Sequence, residues 1–213
     1  MTTPDKLIQG FGRFRERYLE KHQELFRRLR EEGQHPKTLV IGCCDSRVDP
    51  AIVLDSAPGD LFVIRNVANL VPPFEQAGNY HGTSAALEFA VENLQVEHIV
   101  VLGHARCGGI RTLIDSTLQN TADKSFINGW MSLAADACRS AIEELPNASP
   151  EEQASLCERR AILGSLHNLS TFDWVKERVD RRQLRLHGWY FDMLQGDLMG
   201  YNHDHGQFES LKA

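Results

Sequence analysis

Two short stretches carry side chains whose types and spacing can do chemistry: Cys43-Cys44-Asp45-Ser46-Arg47 and Gly103-His104-Ala105-Arg106-Cys107-Gly108-Gly109. Two thiolates and an imidazole suit zinc, and a site with three protein ligands keeps a fourth position for water. His104 and Cys107 are three residues apart, so on a turn or first helical turn both side chains face one way. Cys43 has to come from another element. Read singly, His104 is a hydrogen-bonded core histidine and each cysteine a small buried hydrophobe. Brought together at the ends of two strands, Cys43, His104 and Cys107 make a metal site. Asp45 is a fourth candidate, either ligating the metal and closing the site or standing near it to accept hydrogen bonds. Arg47 can hold that carboxylate bidentately, ionised and oriented, which leaves the fourth position free. Zinc lowers the pKa of a bound water from about 16 to about 7. An Asp45 carboxylate accepting the hydroxide's hydrogen then turns a lone pair towards an electrophile. Phe62, Val67 and Phe89 make the surroundings apolar, which suits a small substrate. Residue chemistry by itself reaches metal-assisted hydration or hydrolysis.

Both stretches close an apolar run, Leu39-Val40-Ile41 in one case and Ile99-Val100-Val101-Leu102 in the other. Such runs bounded by glycine predict buried strands at 38–43 and 98–103. Ligands gather at the carboxyl ends of strands in an open parallel sheet, which brings Cys43, His104 and Cys107 to one point. Leu61–Ile64 is another buried strand, leading into Arg65-Asn66-Val67-Ala68-Asn69. Thr83–Leu94 has helical spacing, with Ala86, Leu87, Ala90, Val91 and Leu94 inward. Strand, helix, strand is a crossover unit, so the fold class is α/β: a mainly parallel central sheet flanked by helices. Pro50 opens a short helical turn, 57–60 is a turn, and a loop runs from Pro72-Pro73 through Gly82. A helix starts at or just after Cys107, where Gly108-Gly109 permits close approach of backbone. Residues 124–180 are mainly helical, broken at Pro146 and Pro150. Leu184–Asp192 and Asp197–Tyr201, about Gln195-Gly196, predict a C-terminal antiparallel edge hairpin. Tyr201-Asn202-His203-Asp204-His205 reads as a polar tail after the last strand rather than a second metal site. Residues 4–32 form a helical arm with an apolar stripe of Leu7, Ile8, Phe11 and Phe14, continued by Tyr18, Leu25, Phe26 and Leu29. It breaks near Gly10 and Gly12 or near Lys21, ends at Gly33, and packs on its own core or on a partner subunit. No long linker or repeat divides the chain, so a single domain over 1–213 with an arm at 1–33 is expected.

Composition narrows the function classes. With 213 residues, 42% hydrophobic and 24% charged, the chain has the makeup of a globular protein with a sizeable core. A formal net charge of −6 disfavours nucleic acid as a partner, and Arg27-Arg28, Arg159-Arg160 and Arg181-Arg182 read as solvated helix faces. No apolar run approaches the ~20 residues of a bilayer span, and Met1–Lys6 lacks the apolar segment of a signal peptide. Five cysteines, two of them adjacent, fit metal-binding thiols in a reducing compartment better than a disulfide framework. A cytoplasmic location is expected. Cys138 and Cys157 fall in helical stretches and read as thiols without a chemical role.

The chain resembles the β-class carbonic anhydrases over roughly residues 34–201. Six stretches carry the resemblance: Gln34-His35-Pro36-Lys37, Cys43–Val48, Gly59–Asn69 (GDLFVIRNVAN), Thr83–Val91 with Val96-Glu97-His98, Gly103–Gly109, and Leu186-His187-Gly188-Trp189. It implies a zinc enzyme that reversibly hydrates carbon dioxide to bicarbonate and a proton by zinc-bound hydroxide. Cys43, His104 and Cys107 are then the ligands, and Asp45 and Arg47 the catalytic dyad. Gln34 binds substrate or bicarbonate across a dimer interface, and Phe62, Val67 and Phe89 line the pocket. The resemblance also implies a homodimer or a higher even-numbered assembly, with the arm packed on the partner. Two departures stand out. Cys44 replaces the usual serine, and alternation points it away from Cys43; Phe89 replaces the tyrosine of some members. A non-catalytic bicarbonate site found in a subset, built from Trp, Arg and Tyr, maps to Val40, Arg65 and Phe191, so two of its three members are missing. Rival readings are a carbon disulfide or carbonyl sulfide hydrolase on the same fold, a non-catalytic zinc protein, and, more weakly, a thiol redox protein.

Overall fold

The apolar, β-branched run at Leu39-Val40-Ile41 forms the fully buried strand β1 (Thr38–Cys43), about which the sheet is laid. The computed structural model describes residues 2–75, 81–119 and 125–211. β2 (Leu61–Asn66) pairs parallel on one side of β1, and β3 (His98–His104) parallel on the other. β4 (Arg185–Asp192) adds in parallel to β3, and β5 (Asp197–Asn202) and β6 (Gln207–Ser210) follow antiparallel. The order β2-β1-β3-β4-β5-β6 is the mainly parallel sheet with an antiparallel C-terminal edge that the sequence predicts. Its last strand corrects one expectation. Residues after Tyr201 are no tail: Asn202 caps a turn by accepting from the Asp204 and His205 N–H groups, and the chain returns as β6.

The chain clusters into two units, Met1–His35 and Pro36–Ala213. The first contains helix α1 (Thr3–Phe14), a π-helical turn (Arg15–Leu19) and helix α2 (Gln23–Glu32), so the arm breaks near Lys21 and not at Gly10 or Gly12. In the second unit α3 (Pro50–Val53) is the short turn opened by Pro50, N-capped by Asp49. α4 (Gly82–Glu88) runs into a π-helical turn at Phe89–Asn93 and crosses from β2 to β3. Residues 76–80 of the loop expected before it lie outside the described residues. α5 (Gly108–Gln119) begins directly after Cys107, and α6 (Phe126–Met131), α7 (Ala135–Glu144), α8 (Pro150–Leu169) and α9 (Asp173–Asp180) fill the span to β4.

Period-two alternation sorts the strand residues between two cores. Leu39, Ile41, Ile99 and Val101 pack with Ile162, Leu166 and Leu169 of α8 and with Phe172 and Val175. Val40, Val100 and Leu102 pack on the opposite face with Leu54, Leu61, Trp189 and Phe191. α8 is the long buttress of the first face. Ser149 and Glu152 cap its N-terminus reciprocally, with Pro150 at the first turn. It approaches β3 and β4 closely because Gly103 and Gly188 lack side chains: a Cβ there would meet Ile162 at 2.7 and 2.9 Å. Arg159 and Arg160 are half-buried instead of solvated. Arg159 lies over the Tyr190 ring, and Arg160 bonds Ser140 and Glu144. Cys138 of α7 and Cys157 of α8 are buried and joined as a disulfide, Cα–Cα 4.6 Å. No local pattern announces that link, because the two cysteines are 19 residues apart on different helices.

Candidate metal centre

Cys43 ends β1 and His104 ends β3, and these neighbours lie on either side of the point where strand order reverses. Chains leave that point in opposite directions, which opens a crevice at the carboxyl ends. Cys107 reaches the same crevice from the residue just before α5. It can do so because Gly109 lets the helix start lie against the β2 exit: a Cβ there would stand 2.7 Å from Val67 and 3.2 Å from Ala68.

One ligand atom from each of Cys43, His104 and Cys107 lies within 4.8 Å of the others, and all three residues are buried. The two sulfurs are 3.9 Å apart. A tetrahedral zinc with Zn–S bonds of about 2.3 Å sets its sulfurs about 3.8 Å apart, so the pair fits. His104 Nδ1 donates to the Ala105 carbonyl at 2.9 Å, which fixes the tautomer and leaves Nε2 a bare acceptor. Nε2 is buried with no protein partner. Such an orphan costs roughly 1–3 kcal/mol in a protein interior, a cost a metal ion removes. The electrostatics agree. The hydrogen bond from Cys107 outweighs burial and, with His104, brings the Cys43 thiol well below its usual range. The same contact, with burial, pushes Cys107 up. Burial alone would lower His104, yet the nearby Cys43 thiolate lifts it. These groups compete for protons in one dry spot, and a dication satisfies all of them.

Asp45 stands beside this cluster and outside it. Arg47 Nε donates to Oδ1 at 2.9 Å, Nη2 to Oδ2 at 2.7 Å, and the Arg47 N–H to Oδ1 at 3.0 Å. Those bonds hold the Asp45 carboxyl well below the usual carboxylate range. Arg47 also donates to the Arg106 carbonyl at 3.0 Å, tying the first motif to the second. The backbone between is held from below. Arg65 donates to the carbonyls of Cys43 (2.9 Å) and Asp45 (2.7 Å) and to Asp49 (2.7 Å). The Asp45 N–H points at Cys43 Sγ, 3.4 Å away. Cys44 is exposed, its N–H given to the Asn66 carbonyl at 2.8 Å, so it takes no part in the cluster.

The apolar residues divide. Val67 packs in the cluster that contains Cys43, Cys107 and Ala68, where Trp130 Nε1 donates to its carbonyl at 2.8 Å. Phe62 and Phe89 pair with each other, centroids 5.8 Å apart, with Phe62 against the core of the first sheet face. Gln34 belongs to the first unit, near its end, and is exposed. One residue beside the site escapes a reading of the sequence: Glu158 of α8, buried, accepts from the Cys107 N–H at 2.9 Å and from the Tyr190 hydroxyl at 2.8 Å. It is 51 residues from Cys107 inside a charged helical stretch, where a carboxylate looks like part of a wet face.

The family model described as carbonic anhydrase matches residues 38–198. A carbonic anhydrase of Synechocystis is 35% identical over 198 residues, 92% of this chain and 70% of that protein. Among solved structures, the β-carbonic anhydrase CcaA superposes with a TM-score of 0.90 at 33% identity, covering 98% of this chain and 92% of the other. One of the tetrameric β-carbonic anhydrases of Sordaria macrospora gives 0.80 at 26%, covering 99% and 98%.

Proposed function

This chain belongs to the β-class carbonic anhydrases, and from that membership we propose that Cys43, His104 and Cys107 hold a zinc ion at which it hydrates carbon dioxide reversibly to bicarbonate and a proton. The observation that carries the zinc assignment is His104 Nε2, buried and unpartnered beside two thiols spaced for a tetrahedral ion. Zinc in such a site acidifies a water enough to supply a nucleophile near neutral pH. The chain's own residues do the rest. Asp45, with both oxygens engaged by Arg47, is not free to become a fourth ligand. It stays an ionised acceptor that receives a hydrogen bond from the attacking oxygen and so turns a lone pair to the carbon. Val67 keeps the wall beside Cys43 and Cys107 apolar, which suits a small uncharged substrate. Phe62 and Phe89, paired with each other away from Val67, are assigned to the pocket by the family resemblance alone, as is Gln34, brought by the arm of a partner subunit to bind substrate or bicarbonate.

Val40 and Phe191 lie in an apolar cluster and Arg65 is committed to the loop backbone, which supports the absence of a second, inhibitory bicarbonate site. The assembly we propose is a homodimer or a larger even-numbered oligomer. The location we propose is the cytoplasm, with Cys43 and Cys107 kept as metal-binding thiols and the Cys138–Cys157 disulfide sheltered from reductant by full burial; a fluorescent fusion found mainly outside it would refute this. No helix among the described residues is long and apolar enough to cross a membrane.

Zinc content and stopped-flow carbon dioxide hydration, measured on the wild type, C43S and H104A, test the assignment. The wild type is expected to bring about one zinc per chain and to hydrate carbon dioxide, and each variant to lose most of both. C43S with full zinc and full activity would overturn it.

A further inference from the structure

We propose that Glu158 is a positioning residue of the metal site: from α8 it holds the backbone of Cys107, and with it the place of the Cys107 sulfur. The inference rests on Cys107 being a zinc ligand. Cys107 occupies the N-terminal boundary of α5, where the Arg111 N–H returns to its carbonyl at 3.0 Å. The first N–H groups of a helix have no acceptor within it and need one from elsewhere. Glu158 Oε1 supplies that acceptor at 2.9 Å. A carboxylate also suits the positive end of a helix.

The loop into Cys107 does not hold itself. Arg106 sits at φ +58°, a left-handed conformation that costs a residue with a side chain of this size. Two clamps bracket it. Arg47 takes the Arg106 carbonyl at 3.0 Å on one side, and Glu158 takes the Cys107 N–H on the other. Glu158 is itself locked. Tyr190 donates to Oε2 at 2.8 Å, Ser155 Oγ stands 3.3 Å from the Tyr190 oxygen, and the Arg159 guanidinium covers the Tyr190 ring at 5.5 Å. A carboxylate only 5% exposed is expensive to keep, since its desolvation has to be met by the two hydrogen bonds it accepts, from Cys107 and Tyr190. An apolar residue there would pack α8 more cheaply. What the carboxylate adds, and an apolar residue lacks, is a fixed acceptor for the N–H of a metal ligand.

The test separates placing the ligand from merely supporting the fold. Glu158 borders a cavity of about 450 Å³ that also touches Arg106, Cys107 and Ser155, so truncation enlarges an existing space. Wild type, E158A, E158Q and E158D are compared by zinc affinity against a chelator and by the absorption spectrum after cobalt substitution. E158Q keeps an oxygen for the Cys107 N–H and is expected to bind zinc within about threefold of wild type, with the wild-type cobalt bands. E158A loses the acceptor and is expected to bind zinc 10–100-fold more weakly, with shifted thiolate-to-cobalt and ligand-field bands. E158D, one methylene too short, follows E158A and serves in its place if E158A does not fold. Zinc affinity and cobalt bands unchanged in a folded E158A or E158D overturn the inference, as does E158Q failing as badly as they do. A wild type that binds neither metal overturns the site reading itself, and this inference with it.

Discussion

A carboxylate two residues from a thiolate is well placed to become the fourth ligand of a zinc ion, and Arg47 is what prevents it. Its guanidinium meets both oxygens of Asp45 at 2.9 and 2.7 Å, and its backbone N–H adds a third bond. R47A is therefore expected to free Asp45 and lower hydration activity by about 10²-fold, the scale of a group misplaced by an ångström. R47K recovers little of it, because an ammonium cannot hold two oxygens in one plane. A pH signature belongs to the same pair. Arg47 lowers the native pKa of Asp45 below the ordinary carboxylate value, so the native state releases this proton more readily than the unfolded chain. Its stabilisation is thus fully present above the unfolded pKa of about 3.9 and is lost as pH falls further. With Arg47 half exposed, the pair contributes about 1 kcal/mol. Denaturant melts of wild type and R47A are expected to differ by that amount at pH 7 and pH 5, with the gap narrowing at pH 3. A gap that widens with acid would show the attribution to be wrong. At this scale the sequence tells most of the story: Cys43, His104 and Cys107 do converge, and Asp45 and Arg47 do pair. Their types and spacing are local, whereas Glu158 is tied to Cys107 only by tertiary packing, and nothing in Cys157-Glu158-Arg159-Arg160 marks one carboxylate as inward.

Elements matter here through how closely they approach. α8 lies against β3 and β4 at Gly103 and Gly188, and the atoms that fill the missing side chains belong to Ile162, which is fully buried. G103A places a Cβ 2.7 Å from Ile162 Cδ1, so either Ile162 leaves its rotamer or β3 moves off the helix. Overpacking of this kind costs about 1–3 kcal/mol. Ile162 Cγ1 stands almost as close, at 2.8 Å, so the relieving change is I162A, which removes both atoms and alone costs about 2–5 kcal/mol for the space left behind. The double variant is expected to be more stable than the sum of the two by at least ~0.5 kcal/mol, read by urea unfolding; strict additivity would mean that the contact is not what limits the site. β1 and β3 were legible to within a residue because fully buried parallel strands are unbroken apolar runs with sharp glycine or ligand endings. β6 was not, because Gln207–Ser210 is short and lies on the edge, where only Phe208 packs against the core. Its placement comes from pairing with β5 and from the Asn202 turn, both invisible to a periodicity argument.

The whole molecule leaves two features that one chain does not use. β2 lies at the edge of the sheet, and among the described residues only β1 pairs with it. An open edge of this kind is usually covered or paired. In the other unit, α1 presents Leu7, Ile8 and Phe11 on one helical stripe at 71%, 69% and 62% exposure, with Phe14 half exposed beside them. A run of large apolar side chains left open on an amphipathic helix marks a surface made for another protein. In the homo-oligomer proposed above, its occupant is a second copy of this chain. Phe11 is the natural anchor, since aromatic residues dominate interface energetics and truncating one costs about 2–4 kcal/mol. At roughly 1.4 kcal/mol per decade, F11D is expected to raise the dimer dissociation constant by about 30-fold or more. Light scattering behind size-exclusion, run over a dilution series, reads the shift. Far-UV circular dichroism should not move, because Phe11 is mostly exposed and supports little within its own chain. Activity connects the assembly to the chemistry. If the arm of one subunit brings Gln34 to the site of the other, hydration per chain should fall with dilution in step with dissociation, earlier for F11D than for wild type. An F11D protein that is monomeric and fully active would leave the zinc site standing and remove the partner from it.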